Sequence, residues 1–191
     1  MKRPAQRDLS FRPLTPSRWP GLTRLFGERG ACGGCWCMWW RLSRGQWVKH
    51  KGLANQRAFQ SVVKAGPPPG LLAYADSEPV GWCALAPRAD YPRLANSRVL
   101  KPVDDEPVWS ISCFFVAREF RRQGVTLALL KAAAAYARSQ GASLLEGYPC
   151  EAKAAYADVF YYTGLASTFR KAGFREVARR SPSRPIMRLA L

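Results

Sequence analysis

The chain has 191 residues, a length typical of one domain, and carries 30 Lys and Arg against 13 Asp and Glu for a net charge of +17. Its hydrophobic content of 48% excludes a disordered chain, and its glycines and prolines follow no repeat of a fibrous protein. No apolar run approaches the roughly 20 residues of a membrane helix, and no apolar stretch follows the charged start. We therefore expect a single cytoplasmic domain over residues 1–191, whose charge favours anionic partners.

The first half of the chain predicts a strand, two helices and a hairpin. The strand is expected at 9–14, and helical apolar spacing follows from Trp19 to Phe26. A second helix is expected from Asn55 to Val63, where a run of glycines and prolines ends it. Two apolar segments at 71–75 and 80–85, separated by turn residues, predict the hairpin.

The second half alternates between strands and helices after a long connection at 87–107, which has room for one short helix. The strongest strand pattern lies at 108–116, and the spacing then changes to that of a long helix ending near Gly141. The remaining predicted elements are a strand at 144–148, a helix at 165–172 and strands at 174–179 and 186–189. The strand–helix–strand unit implies a parallel pair and the hairpins imply antiparallel pairs, so we predict a mixed α/β sheet flanked by helices.

A short basic turn joins the 108–116 strand to the long helix. The first N–H groups of a helix have no acceptor within it, and the helix dipole adds partial positive charge at that end. Gly124 allows close approach of a ligand to the backbone, and Arg121 and Arg122 add formal charge. The turn therefore predicts an anion site suited to a pyrophosphate. It has neither the Gly-Lys-Ser/Thr of a Walker loop nor the GxGxxG of a dinucleotide fold.

The segment Arg121-x-x-Gly124-x-Thr126 after a strand resembles the Arg/Gln-x-x-Gly-x-Gly/Ala motif of the GCN5-related N-acetyltransferase (GNAT) superfamily. The late segment Phe169–Phe174 is similar to the Tyr-x-x-x-Gly-Phe segment of that family, and the element order over residues 8–190 also agrees. The resemblance implies a central, mostly antiparallel mixed sheet with a splayed parallel strand pair, usually at a β-bulge.

The same resemblance implies acetyl-CoA as co-substrate, no metal, and transfer of the acetyl group to a primary amine by direct attack in a ternary complex. A small amine or antibiotic is favoured as acceptor over a protein or an aminoacyl-tRNA. Such proteins often form homodimers. The pantetheine arm is expected to contact the main chain at Phe115 and Val116. The residues expected to hold the pyrophosphate are Arg121, Arg122, Gln123, Gly124, Val125 and Thr126.

Two positions depart from the family pattern. Thr126 stands where Gly or Ala is preferred, and Phe169 stands where the family often has the Tyr that protonates the leaving thiolate. Tyr156, Tyr161 or Tyr162 is expected to take that role, and Tyr162 is our candidate. Water, or departure of the thiolate unaided, would serve instead. A protein that binds CoA without turnover, as a sensor, is the remaining alternative.

Two carboxylates are candidates for the group that accepts the amine proton. Glu106 ends an acidic run just before the 108–116 strand, and Glu146 lies inside an otherwise apolar strand. The alternative for Glu146 is a structural carboxylate with charged partners. The alternative for Glu106 and its neighbours Asp104 and Asp105 is a solvated acidic loop.

A cluster of cysteines and tryptophans lies between the first two predicted helices. Cys32-x-x-Cys35-x-Cys37 has no second ligand pair at matching spacing, so we predict no metal site. In the resembled fold this segment forms one wall of the acceptor site, where indole rings hold an aromatic or cationic substrate. Packing in the core is the alternative for these rings. The candidate substrate-binding residues are Trp36, Trp39 and Trp40.

The net charge leaves a basic RNA-binding protein as a function of another class. The basic residues, however, are spread from Arg3 to Arg188 rather than clustered, and no known RNA-binding motif is present. Nucleic acid is therefore a less favoured partner than acetyl-CoA and an amine.

Overall fold

The computed structural model describes residues 8–152 and 158–191. In this part of the chain, seven strands form one sheet in the order β1-β2-β3-β4-β5-β7-β6. All neighbouring strands pair antiparallel except β4 and β5, which are parallel. The strands are β1 Leu9–Pro13, β2 Gly70–Ala75, β3 Glu78–Pro87, β4 Trp109–Val116, β5 Leu144–Gly147, β6 Arg175–Arg179 and β7 Pro185–Ala190. The predicted mixed, mostly antiparallel sheet is confirmed.

Helices cover both faces of the sheet. They are α1 Trp19–Phe26, α2 Arg44–Lys49, α3 Leu53–Ala65, α4 Pro92–Ala95, α5 Val125–Ser139 and α6 Ala166–Lys171. The apolar faces of α5 and α6 pack with one face of the sheet in the largest core cluster. On the other face, α1, α3 and the cysteine- and tryptophan-rich segment form a second cluster. None of the helices in the described ranges is long and apolar enough to cross a membrane.

The six-residue helix α2 was not predicted from the sequence. Its residues are mostly polar, so they carry no apolar period for a pattern to detect. A capping box starts it instead: the Ser43 hydroxyl accepts the N–H of Gln46, and the Gln46 side chain accepts the N–H of Ser43. The next helix, α3, begins at Leu53, two residues before the predicted start, because Gly52 turns the chain with φ +82°.

The long connection between β3 and β4 holds the short helix α4, as predicted, and is tied to the sheet. Arg88 donates one hydrogen bond to the Leu100 carbonyl at 2.6 Å and another to Glu146 on β5 at 2.6 Å. A third core cluster, which includes Tyr91, Leu94 and Leu100, packs beneath the connection. The connection is therefore an ordered wall beside the middle of the sheet.

Candidate active site

Strand β4 changes its partners halfway along its length. Its pairing with β5 ends at Ile111 and Gly147, whereas its pairing with β3 continues to Val116. Between Ile111 and Cys113 the register with β3 shifts by one residue, which leaves Ser112 as a β-bulge. The structure therefore contains a splayed parallel pair with a bulge, and a gap opens between β4 and β5 beyond it.

Two hydrogen bonds fix the direction of the main-chain groups beyond the bulge. The N–H of Ala117 donates to β3 at 2.9 Å, whereas the N–H of Phe114 donates to the Tyr162 carbonyl on the opposite side. Because peptide groups alternate along a strand, those of Val116 face the gap and those of Phe115 face β3. The predicted pantetheine contact fits this geometry at Val116. At Phe115 the main chain is engaged with β3 instead.

The basic turn after β4 has a left-handed backbone at two positions, Arg122 with φ +61° and Gly124 with φ +82°. Gly124 is the residue before α5, and the space that its Cβ would enter is open. The Gln123 side chain donates to the preceding turn at 2.6 Å, and Arg121 Nε donates to the last carbonyl of β4 at 3.1 Å. These bonds hold the turn in one shape directly before the helix.

The turn has the features of an anion-binding site. The amides of the first turn of α5 lack acceptors within the helix, and no acidic residue lies in that turn to compete for them. The side chain of Thr126 is partly exposed, whereas that of Val125 is buried in the core, so Val125 offers only its main chain. The residues predicted to hold a pyrophosphate therefore share one turn that is open to a ligand.

Phe169 is completely buried and packs between aromatic rings and glycines. Its ring centroid lies 6.1 Å from that of Phe114 and 4.9 Å from that of Phe174. A Cβ on Gly147 would lie 2.1 Å from the Phe169 ring, so this glycine makes room for the phenyl group. At this position the chain uses an aromatic side chain to fill the core behind the gap.

Tyr162, the candidate proton donor, lies next to the gap. Its carbonyl accepts the N–H of Phe114, and its ring packs on the cluster that contains Trp39 and Trp40. Burial raises the pKa of Tyr162 well above its ordinary value, so the hydroxyl keeps its proton at neutral pH. Of the alternative tyrosines, Tyr161 is partly buried. The other, Tyr156, lies outside the described residues.

Glu146 on β5 is 1% exposed, and both of its oxygens bind arginines. Arg88 Nη1 donates to Oε1 at 2.6 Å, and Arg188 Nε donates to Oε2 at 2.7 Å. The Tyr148 hydroxyl also donates to Oε1 at 2.7 Å and shares a further 2.7 Å hydrogen bond with Ser110 on β4. These contacts favour the alternative in which Glu146 is a structural carboxylate. Its role as the base stays a prediction.

The buried network around Glu146 extends to the acidic run before β4. Arg188 donates to both oxygens of Asp104, at 2.6 and 2.9 Å. This hydrogen bonding lowers the pKa of Asp104. Burial, followed by the nearby charge of Glu146, raises the pKa of Tyr148 well above its ordinary value. Two arginines and two carboxylates thus balance one another and fasten the β3–β4 connection to β7.

Glu106 is exposed, in contrast to Glu146. Its N–H donates to Asp104 Oδ1 at 3.2 Å, and it lines a cavity of about 310 Å³ together with Arg88 and Tyr91. The two candidate bases are joined only indirectly in these contacts, through Asp104 and Arg188. Glu106 is thus the carboxylate of the two that solvent and a ligand can reach.

The three tryptophans proposed as substrate-binding residues divide into two groups. Trp36 is 4% exposed and packs in the core, with its ring centroid 6.0 Å from that of Trp19 and 5.7 Å from that of Phe26. Trp39 and Trp40 line a cavity of about 620 Å³. The core alternative therefore describes Trp36 and also fits Trp40, which is buried in the third core cluster. The acceptor-wall prediction fits the position of Trp39, and of the side of Trp40 that lines the cavity.

The cysteines of this segment lie close to a cysteine of β4. The largest cause of the raised pKa of Cys113 is its hydrogen bond with Cys37, and burial raises the pKa of Cys35 to about 12. The Trp82 indole donates to Cys37 Sγ at 3.0 Å, and Cys32 is exposed. Within residues 8–152 and 158–191, no group of three or more His, Cys, Asp or Glu side chains is placed to hold a metal.

Sequence analysis missed the arginines that organise the site. Arg188 lies inside an apolar strand, as Glu146 does, and the two side chains form an ion pair. Opposite charges in two apolar strands are a signal in the sequence that these strands are neighbours in the sheet, because buried charges need a partner. Arg88 and Arg93 lie in the long connection, where no periodic pattern assigns a partner to either residue. Their roles depend on contacts between distant segments.

A sequence model of the Acetyltransferase (GNAT) family matches residues 36–158 of the chain. The PaiA N-acetyltransferase of Thermoplasma acidophilum, solved with coenzyme A, is 15% identical, with a TM-score of 0.54 over 96% of this chain and 99% of that one. The aminoglycoside N-acetyltransferase AAC(6')-Iy, solved with CoA, is 17% identical, with a TM-score of 0.57 over 94% and 96%. Arabidopsis thaliana NAA60, solved with acetyl-CoA, is 14% identical, with a TM-score of 0.53 over 96% and 100%.

A comparison with curated protein sequences found no match. At these identities the likeness to solved structures establishes the fold alone. The fold predicted from the resemblance is confirmed.

Proposed function

The chain belongs to the acetyltransferase (GNAT) family, and we propose that it transfers the acetyl group of acetyl-CoA to a primary amine by direct attack in a ternary complex. We further propose that the acceptor is a small molecule. The observation that carries the proposal is the bulged end of β4, which opens a gap and leads directly into an anion-binding turn. The three solved proteins named above were each obtained with CoA or acetyl-CoA, which supports this cofactor.

The residues of the gap and the turn fit the parts of acetyl-CoA. The main-chain groups of Val116 face the gap and would bind the amide-bearing pantetheine arm. The first amides of α5, with Arg121 and Arg122 beside them, would bind the pyrophosphate, and the open space at Gly124 leaves room for it. When bound, acetyl-CoA supplies an activated thioester, which an amine attacks without a covalent enzyme intermediate.

The remaining task of the protein is to hold the amine and move two protons. The amine must lose a proton when it attacks, and the leaving thiolate must gain one. We assign the second step to Tyr162, because its hydroxyl is protonated at neutral pH and its residue borders the gap. For the first step Glu106 stays our candidate, acting through water, because it is exposed whereas Glu146 is bound by two arginines. Glu106 lines the smaller cavity, so water would have to carry the proton from the amine to it.

Calorimetric titration with acetyl-CoA, CoA and ATP tests the cofactor. We expect micromolar binding of acetyl-CoA and CoA and no binding of ATP, because the gap selects the pantetheine arm as well as the phosphates. Equal binding of all three compounds, or of none, would contradict the proposal. A screen of amines for thiol release from acetyl-CoA then tests the reaction itself.

A CoA-binding sensor without turnover is the second candidate function, and the buried Phe169 is the observation that favours it. A phenyl ring cannot donate a proton, so this chain lacks one device that the resemblance associates with catalysis. Tight binding of acetyl-CoA without thiol release for any class of amine would identify a sensor. RNA binding with a steep salt dependence, and no binding of acetyl-CoA, would identify the third candidate, a basic RNA-binding protein.

A further inference from the structure

The cavity lined by Trp39 and Trp40 differs from an ordinary apolar pocket in its charge. It measures about 620 Å³, within the range of small-ligand sites, and lies between the segment after Trp39 and the start of α4. Of the residues that the structure describes, three arginines and no acidic residue line it. They are Arg41, Arg44 and Arg93.

The arginines of this cavity are short of counter-charges. In the described ranges, neither Arg44 nor Arg93 forms an ion pair, and Arg41 pairs only with the exposed Asp90, at 3.2 Å. Burial lowers the pKa of Arg93, and the positive charge of Arg44 lowers it further, which shows that the two cations lie close enough to repel. Arg93 is partly buried and Arg44 is exposed. Around Glu146, by contrast, the buried carboxylate is paired with two arginines. The cavity therefore holds positive charge that no described carboxylate neutralises.

Two buried donors of the cavity lining also lack partners. The Arg41 side chain is 9% exposed and Trp40 is 8% exposed. Arg41 Nη2 and Trp40 Nε1 make no hydrogen bond within the described part of the chain. Buried donors are normally satisfied, so two unpaired donors in one lining are a second observation that favours an acceptor group there. Both atoms are buried, so such a group would reach them after a turn of the side chains.

The aromatic rings of the cavity are fixed in place by cations. The Arg93 guanidinium lies 3.5 Å from the centroid of the Trp39 ring and donates to the Trp39 carbonyl at 3.1 Å. Trp47 packs against the same ring edge-on at 4.8 Å, and Lys51 lies 4.7 Å over the Trp47 ring. A guanidinium stacked on an indole keeps its N–H edge free for a planar oxyanion. The stack thus fixes the guanidinium of Arg93 against the Trp39 indole at the wall of the cavity.

Tyr162 links the cavity to the gap. Tyr162 and Trp39 both pack against the core cluster that contains Trp40, and the charge of Tyr162 affects the pKa of Arg93. The carbonyl of Tyr162 accepts the Phe114 N–H at the edge of the gap. One residue thus reaches from the arginines of the cavity to the strand along which the proposed cofactor would bind.

We propose that the acceptor is an amine that also carries an oxyanion, a carboxylate or a phosphate, and that Arg93 and Arg44 bind this group. That the ligand is an amine acceptor rests on the proposed function. That the ligand carries an anionic group rests on the cavity alone. A flat apolar part of the acceptor would lie on Trp39 and Trp40. Polycationic amines are disfavoured, because the arginines repel them. This assignment narrows the broad class of small amines to amino-acid-like or phosphorylated acceptors.

A binding experiment tests the anion site without turnover. N-acetyl-L-phenylalanine and N-acetyl-L-phenylalaninamide differ only in the carboxylate, and calorimetry compares their affinities in the presence of CoA. We expect the acid to bind at least about tenfold more tightly, and R44A and R93A each to remove most of that preference. R93K, which keeps the charge, should retain part of it. R138A, an exposed arginine on α5, is the matched control and should change nothing.

An activity experiment identifies the source of the anion. Thiol release from acetyl-CoA is compared for L-phenylalanine against its amide, O-phosphoethanolamine against ethanolamine, and spermidine. The proposal is supported if the carboxylate or the phosphate compound of a pair has the higher kcat/KM, and the pair that shows the difference identifies the anionic group. R44A and R93A should lose this difference mainly through a higher KM.

Three outcomes would overturn the anion site. In the activity experiment, they are an equal kcat/KM for the charged and the neutral amine of each pair, or a higher kcat/KM for spermidine. In the binding experiment, it is an unchanged affinity of R44A and R93A for benzoate, inorganic phosphate and N-acetyl-L-phenylalanine. Failure of acetyl-CoA to bind, with arginine-dependent anion binding intact, would remove the proposed function and leave the anion site standing.

Discussion

The two halves of β4 are stabilised in opposite ways. In the first half the strand is paired on both sides, and Ser110 joins a buried network in which two arginines and two carboxylates balance one another. In the second half the pairing with β5 has ended and main-chain groups face a gap. Two arginines of the 620 Å³ cavity, Arg44 and Arg93, have no ion pair among the described residues. The comparison indicates where ligands bind in this fold. Charges without an ion pair and main-chain groups without a strand partner lie next to a region whose charges and strands are paired, and these unpaired groups are the candidates for ligand binding.

The largest expected effect comes from breaking the balanced half. Glu146→Gln removes the charge that holds Arg88 and Arg188, and we expect a loss of about 3–5 kcal/mol in the free energy of unfolding by urea. Glu176→Gln, at a partly exposed ion pair with Arg179, is the matched control and should cost less than about 1 kcal/mol. If E146Q keeps wild-type stability and loses turnover, Glu146 is the base after all.

The next effect concerns the anion-binding turn. Gly124→Trp should weaken acetyl-CoA binding by about 100-fold or more, because the indole would fill the space beside the first amides of α5. Gly141→Trp is a close match, since Gly141 also has φ +82° and open space at its Cβ but lies at the other end of α5. Both variants should show similar thermal stability. Equal affinities in calorimetry would remove the turn from the cofactor site.

A smaller effect is expected at the edge of the gap. Tyr162→Phe should lower kcat by about 100-fold while leaving the KM for acetyl-CoA little changed, because only the proton donor is lost. Burial raises the pKa of Tyr162, so the wild-type hydroxyl stays protonated and kcat should not fall as pH rises through 10, the ordinary tyrosine value. Tyr161→Phe is the comparison, and a larger loss in that variant would transfer the role to Tyr161.

The smallest effect concerns the outer edge of the balanced network. Hydrogen bonding to Arg188 lowers the pKa of Asp104 below its ordinary 3.8 in the folded protein. The stability that this carboxylate contributes is therefore present above that value and is lost as pH falls through the folded pKa. Asp104→Asn should be slightly less stable than the wild type at pH 7, and the difference should shrink as the pH falls below 3.8. A difference in thermal stability that stays constant on acidification would show another cause.

Local patterns predicted most of the fold and one part of the site. The change from a period of two to a helical period at Gly124, together with the basic turn, predicted the turn before α5 because each feature lies within a few neighbouring residues. That the turn binds an anion stays a prediction. The direction of the Val116 main chain, the burial of Phe169 and the division between Trp36 and Trp39 depend instead on contacts between distant segments. No window of the sequence contains both members of such a contact, so these features required the structure.

The bulge at Ser112 shifts the alternation of β4 side chains between the two faces of the sheet by one residue. Before it, Trp109 and Ile111 face the α5 side, and after it Phe114 and Val116 do, an odd number of residues later. If the strand kept Ser112 without a bulge, regular alternation would turn every later side chain to the opposite core. Deleting Ser112 removes the extra residue instead, so Cys113 follows Ile111 directly and Phe114 and Val116 stay on the α5 side. A one-residue deletion there would therefore remove the bulge at the gap while leaving both apolar cores with their own side chains.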